Sequence, residues 1–307
     1  IPLVFLRKGM KTFTFDSPLT SCPLCNSNKI FFLYAINHTN PPFTVYRCNS
    51  CKFIFMNPPL SHQAEHSLYD EGYYTGSSDY SYYDERKTER YSQYVWNARL
   101  QTIHNYVPGG NFLDVGCSFG GFLHAASQLY TPYGIEPSAY SGKYTQQRFG
   151  KDAIHIGTLF DHPFKRNFFS VITLIEVLEH MRQPFEALTE CYNLCAPDGL
   201  LVIQTANMDG LQATIQKDRY GYFLPGHFSY FTKDNLTHTL KKIGFKKIKV
   251  FQPVDFGLLP KLMKSKMNFN SIYDYKSWIR IALYHYASKI HAGNCALTSS
   301  MVVYAFK

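Results

Sequence analysis

The sequence predicts an α/β protein: a doubly wound, seven-stranded sheet with a small metal-holding ribbon ahead of it. Three observations predict this. The short apolar run Phe112-Leu113-Asp114-Val115 is broken by Gly116, Gly120 and Gly121, and an apolar helical pattern (Phe122, Leu123, Ala125, Ala126, Leu129) follows at once. Strand, glycine-rich turn, helix is the opening of a doubly wound domain, whose ligands bind at the strand's carboxyl end. Residues 168–175 form a nearly unbroken apolar run, the mark of a strand covered on both faces. Finally, Cys22-Pro-Leu-Cys25 and Cys48-Asn-Ser-Cys51 are two C-x-x-C knuckles separated by 22 residues.

Taken in order, the chain opens with those knuckles. Four thiolates from two knuckles suit tetrahedral Zn2+, and a closed shell of Cys22, Cys25, Cys48 and Cys51 is structural rather than catalytic. Residues 30–34 and 43–47 read as the strands of a hairpin between them, so residues 1–60 are a zinc ribbon that needs its metal to fold. Residues 61–107 are a tyrosine-rich connector that ends in a helix over 85–106. Its tyrosines lack one period. Tyrosine combines an apolar face with a polar tip, and Tyr73 and Tyr74 are the first candidates for contact with cofactor or substrate.

Residues 108–307 carry the α/β alternation. After the glycine turn, Tyr133-Gly134-Ile135 ends in the acid Glu136, placed to take both hydroxyls of a ribose. A helix is expected over 137–149 and a strand over 153–156, with Thr158 and Leu159 following where an adenine would lie. The strand 168–175 ends in Glu176-Val-Leu-Glu179-His180. A helix over 184–195 and a strand over 200–204 come next, and two more strands, 245–251 and 300–306, lie near the C-terminus. A dinucleotide is disfavoured, because G-x-G-x-x-G would need glycine where Ser118 stands.

This pattern resembles the class I S-adenosylmethionine (SAM) methyltransferases, which have acid-x-Gly-x-x-x-Gly after the first strand and an acid after the second. Here these are Asp114, Gly116, Gly120 and Glu136. Many members have glycine at Ser118. Glu176-Val-Leu-Glu-His180, Ala196-Pro-Asp-Gly-Leu200 and Gly226-His-Phe-Ser-Tyr-Phe231 resemble a bacterial subgroup with a four-cysteine zinc motif ahead of the SAM domain. Many of that subgroup act on sugars or other small metabolites, nucleotide-sugar C-methyltransferases among them. The resemblance implies a Rossmann-like methyltransferase sheet. It also implies SAM as cofactor, with Asp114 and the backbone of Gly116, Cys117 and Gly120 at its methionine end, Glu136 on the ribose, and Thr158, Leu159 and Glu176 beside it.

Methyl transfer needs alignment of donor and acceptor, and a base where the acceptor is a hydroxyl or a carbon acid. Two histidines fall where the pocket should be, His180 after the fourth strand and His227 in the Gly/aromatic loop 220–231; His227 is the first choice. The fourth strand is not followed by Asn-Pro-Pro-Tyr, which argues against amino-group methylation of adenine or glutamine.

Composition narrows the class. With 307 residues the chain can bury one full α/β core plus a smaller module. No apolar run reaches membrane-spanning length, and the first ten residues lack the order of a signal peptide. The chain starts at Ile1, which leaves Met10 as a candidate native start. Of eight cysteines four fall into the two C-x-x-C pairs and the rest are scattered, which is metal-site spacing rather than a disulfide framework and implies a reducing, cytoplasmic setting. The formal charge is +9, and residues 233–307 alone hold 13 Lys and Arg against 3 Asp. That excess fits an anionic small-molecule acceptor, RNA or a membrane surface. The expectation is therefore methyl transfer to an oxygen or carbon of a sugar or related metabolite. The alternatives are an RNA base methyltransferase whose ribbon recognises substrate, and an inactive SAM-binding scaffold.

Overall fold

A computed structural model describes residues 13–68, 72, 84–292 and 295–307. The chain first makes three short antiparallel strands, β1 (Ile30–Ile36), β2 (Phe43–Cys48) and β3 (Ile54–Met56), then helices α1 (His62–Leu68) and α2 (Glu85–His104). The α/β part continues as β4 (Asn111–Val115), α3 (Gly121–Ala126), β5 (Thr131–Glu136), α4 (Ala139–Phe149), β6 (Ile154–Ile156) and β7 (Phe169–Ile175). It proceeds through α5 (Pro184–Leu194), β8 (Cys195–Ala206), α6 (Leu211–Gln216), the two-residue β9 (Ser229–Tyr230), α7 (Lys233–Ile243) and β10 (Lys247–Phe251). Helices α8 (Leu258–Ser265) and α9 (Lys276–Ala287), a small hairpin β11 (His291–Ala292) and β12 (Cys295–Ala296), and β13 (Ser300–Phe306) complete it.

Seven strands form one sheet in the order β10-β13-β8-β7-β4-β5-β6. The β4 to β8 ladders are parallel, and β13 runs antiparallel to both neighbours. This is the expected doubly wound sheet, parallel except for its last strand. Successive residues alternate between two apolar layers, as the period of two in a strand requires. Phe112, Val171, Leu200, Val202, Val302 and Tyr304 face Leu100 and Ile103 of α2 and Leu123 of α3. Leu113, Ile172, Leu201, Ile203, Met301 and Val303 face Leu188 and Leu194 of α5 and Leu236 and Leu240 of α7. Burial on both faces explains why β7 and β8 read as apolar runs.

Two features were absent from the sequence reading. Residues 252–299, between the last two strands of the sheet, hold α8, α9 and the small hairpin. They leave the end of β10 and return at the start of β13, where Ser300 pairs with Ala206 at the carboxyl end of β8. The insertion thus hangs from the edge at which the parallel strands end. In addition, the ribbon sheet has the order β1-β2-β3-β9, so its fourth strand comes from the loop after β8. Ile54 pairs with Tyr230 and Phe55 with Ser229, and the Met56 N–H donates to Phe228 O (2.9 Å). Cys22 and Cys48 lie in one apolar cluster with Phe53, Phe55 and Phe231.

Candidate active site

The sheet order reverses between β4 and β7, and in such sheets ligands bind in the crevice this reversal opens at the carboxyl ends. The glycine turn lies there. Gly116 has φ +76°, and a side chain on it would meet Val177 at 2.7 Å; Gly120 has φ +74° and starts α3. Ser118 is itself left-handed, at φ +48°, the conformation that glycine adopts without penalty. The turn therefore keeps the loop shape expected of the family with serine in place of glycine. Its hydroxyl is buried and unpartnered among the described residues.

Glu136 ties the turn together. One carboxylate oxygen accepts the Ser118 N–H (2.8 Å) and the other the Ser138 N–H (3.0 Å), with the residue 3% exposed. Asp114 is buried one residue before the turn's first strand ends. It accepts the Thr173 hydroxyl (2.6 Å), and burial, with the nearby Glu85 and Glu136 carboxyls, pushes its pKa up to about 7. Cys117 is buried, and burial raises its thiol, so it offers backbone rather than a nucleophile. Thr158 donates through both N–H and hydroxyl to Asp161, while the Leu159 side chain lies in the core; both follow Gly157, whose N–H donates to Glu136 O. Tyr73 and Tyr74 lie outside the described residues.

The second group lies at the ends of β7 and β8. Glu176 also has a positive φ, +56°, and its carboxylate accepts from Gln204 (2.6 Å). Desolvation, then the neighbouring Glu179 carboxyl, push its pKa up, and its open, water-facing side limits that shift. Glu179 is fully buried and accepts from Tyr222 Oη (2.6 Å) and Thr205 Oγ1 (3.1 Å); burial raises its pKa. His180 and His227 meet with ring centroids 4.7 Å apart. His180 Nδ1 is 2.8 Å from Gly226 O, and His227 Nδ1 is 2.8 Å from Tyr222 O. A carbonyl can only accept, so the hydrogen sits on Nδ1 of each ring, and Nε2 of His227 carries the lone pair. Burial lowers both pKa values, that of His227 strongly with help from His180, so both rings are neutral near pH 7.

The structure thus brings His180, His227, Glu176 and Glu179 into one cluster, and Asp114, Gly116, Cys117, Gly120 and Glu136 into the adjacent crevice. Sequence reading missed what lies behind them. Arg99 of α2 pairs with Asp255 (3.1 Å), both side chains almost fully buried, and donates to Gln204, which donates to Glu176. Asp255 lines an open groove of about 770 Å3 together with Lys233, Phe251, Gln252, Phe256 and Lys289. Arg99 and Asp255 are 156 residues apart, and nothing local in the sequence announces the pair.

In the ribbon, Cys22 and Cys51 sulfurs are 3.7 Å apart, as are those of Cys25 and Cys48. Four sulfurs about 2.3 Å from a tetrahedral Zn2+ would be about 3.8 Å from one another. The four cysteines form no disulfide, and their geometry fits that ion.

Comparison with known proteins agrees with this geometry. Residues 86–250 match the family described as "Methyltransferase domain". A tRNA U34 carboxymethyltransferase of Syntrophotalea carbinolica is 33% identical over 178 residues, 53% of this chain and 52% of its own. One from Desulfotalea psychrophila is 25% identical over 190 residues, 58% and 59%. The chain spans about half the length of these curated relatives. Among solved structures, a SAM-dependent methyltransferase of Archaeoglobus fulgidus aligns at TM-score 0.50 and 18% identity, covering 74% of this chain and 100% of that one. Haemonchus contortus phosphoethanolamine N-methyltransferase 2, in complex with S-adenosyl-L-methionine, aligns at TM-score 0.52 and 15% identity, covering 90% and 68%. At such identities these two speak for the fold alone. The family match takes in more than half of the chain, which therefore belongs to the methyltransferase-domain family.

Proposed function

We propose that this enzyme methylates an oxygen or carbon of a small anionic acceptor, a sugar or related metabolite, with His227 as proton acceptor. The observation that carries this reading is the His227 ring. It is held by Tyr222 O, kept neutral by burial, and packed against His180 at the carboxyl ends of β7 and β8. SAM supplies an electrophilic methyl group when bound. The chain's own contribution is orientation and proton removal. Glu136 would hold the ribose, and the turn Gly116-Cys117-Ser118 with Asp114, itself bonded to Thr173 of β7, would hold the methionine portion. Thr158 and Leu159 would border the adenine, with Glu176 beside the cofactor. The neutral His227 Nε2 would accept the acceptor's proton, while His180 and Tyr222 fix the ring by packing at 4.7 and 4.5 Å. The groove with Lys233 and Lys289 has the size of a small-molecule site and suits an anionic portion of the acceptor. The ribbon cysteines would hold one structural Zn2+.

Two observations favour a second reading, an RNA acceptor: the named relatives are tRNA U34 carboxymethyltransferases, and the basic excess lies in the C-terminal quarter. Native mass spectrometry of the purified protein separates the two. Bound SAM or its demethylated product, one zinc and a small co-purified acceptor are expected. Co-purifying RNA with methyl transfer to RNA alone would overturn the small-molecule reading. SAM binding with no turnover on either class of acceptor would point to a scaffold.

A further inference from the structure

Among the described residues, the insertion 252–299 leaves an apolar face uncovered. Ile272, Ile279, Leu283, Tyr286 and Ile290 are 58–78% exposed, and they recur at spacings of three, four or seven residues along one face of α9 and its flanks. Isolated exposed apolar residues are ordinary, but a contiguous stripe marks an interaction surface. The face is ringed by cations. From 258 to 290 the chain carries Lys261, Lys264, Lys266, Lys276, Arg280 and Lys289, and its one acid, Asp274, is engaged in capping the N–H groups of Asn270 and Ser271. Lys276 and Lys289 lie over the rings of Tyr273 and Tyr286, with their charges at the margin of the stripe.

We infer that α9 and its flanks dock on an anionic lipid surface, with the apolar stripe at the acyl boundary and the basic rim at the headgroups. Charge chooses this occupant. A second copy laid on the same face would bring Lys276, Arg280 and Lys289 against their own like charges, whereas a nucleic acid would match the cations and leave Ile279 and Leu283 unused. A helix with an apolar stripe and a basic margin is the form that lies in a bilayer interface. No described helix is long and apolar enough to cross a membrane, so the contact is peripheral. The insertion leaves β10 and enters β13 at the sheet's carboxyl edge, and Lys289 lines the groove beside it, so docking would set the open end of the site against the lipid surface.

The test is co-sedimentation of the full chain with vesicles of phosphatidylglycerol and phosphatidylcholine, compared with phosphatidylcholine alone. Binding to the anionic vesicles is expected, weakened by salt. The double variant Ile279→Ser/Leu283→Ser should lose about tenfold or more in partition, because each side chain forfeits its burial, and Lys276→Glu/Arg280→Glu should lose a similar amount. All four residues are exposed, and unchanged SAM binding checks the fold of each variant. The inference is overturned by failure to bind anionic vesicles, by partition that Ile279→Ser/Leu283→Ser leaves unmoved, or by a concentration-dependent dimer that this variant abolishes. SAM binding and methyl transfer are read separately, so failure here leaves the catalytic reading standing.

Discussion

Glu136→Gln is the substitution on which the cofactor reading can be worked out most fully. Both carboxylate oxygens already accept backbone N–H groups, one from Ser118 in the glycine turn and one from Ser138 at the start of α4. Each oxygen has a second lone pair, so the group can hold the turn and a ribose hydroxyl together. Glutamine keeps the shape but replaces one oxygen with an NH2 donor. Whichever way the amide turns, one backbone N–H loses its acceptor and faces another donor. A hydrogen bond to a charged acceptor is worth about 1.5–3 kcal/mol, so SAM affinity should fall roughly 10- to 150-fold. The residue is buried, so water cannot restore the bond cheaply. Isothermal titration with SAM and with its demethylated product measures the loss, and hydrogen exchange at Ser118 and Ser138 locates it. Unchanged affinity together with unchanged exchange would refute the argument, and faster exchange with unchanged affinity would confine Glu136 to the turn.

Three further outcomes are expected. Elemental analysis should return one zinc per chain, and Cys48→Ser should abolish it and unfold the ribbon; wild-type protein prepared without chelator yet free of zinc would dismiss the site. His227→Ala should bind SAM normally and lose about 10²–10⁴ in kcat, and because burial lowers the His227 pKa the wild-type rate should stay flat down through the usual histidine range; if only His180→Ala loses turnover, the base is His180. Asp114 is held protonated to about pH 7 in the fold but only to about 4 when unfolded, so the unfolded state sheds its proton first and stability falls as pH rises between those values. At 1.36 kcal/mol per pKa unit that is about 4 kcal/mol. Asp114→Asn should gain that much over wild type between pH 4 and pH 8 in denaturant unfolding without ligand, and parallel curves would remove the assignment.

The central sheet was legible because burial on two faces leaves a strong local mark. The helix expected over 85–106 ends at His104, and the strand expected over 200–204 extends to Cys195–Ala206 because the turn 197–199 is carried inside the ladder. The crevice was legible for the same reason: glycines and acids at strand ends are local signals. Three things were not. β9 is two residues long and exists only because β3 lies beside it. The Arg99–Asp255 pair joins α2 to the insertion, with no periodicity to announce either partner. Helix α9 presents leucine and isoleucine to solvent, so the usual reading of apolar spacing as a core-facing stripe does not apply to it.

The strand that the ribbon borrows from the His227 loop makes the two halves of the protein answer to one another. Because β9 stands two residues from His227 and completes the sheet that the cysteines close, free energy released on zinc capture by those cysteines would also restrain the loop, and by reciprocity an ordered loop would tighten the hold on metal. The crevice at β4 and β5 takes no strand from that sheet. Titrating a chelator should therefore produce a species that still retains SAM while its turnover decays in step with zinc occupancy, so that metal supply would act as a throttle on catalysis and not on cofactor uptake.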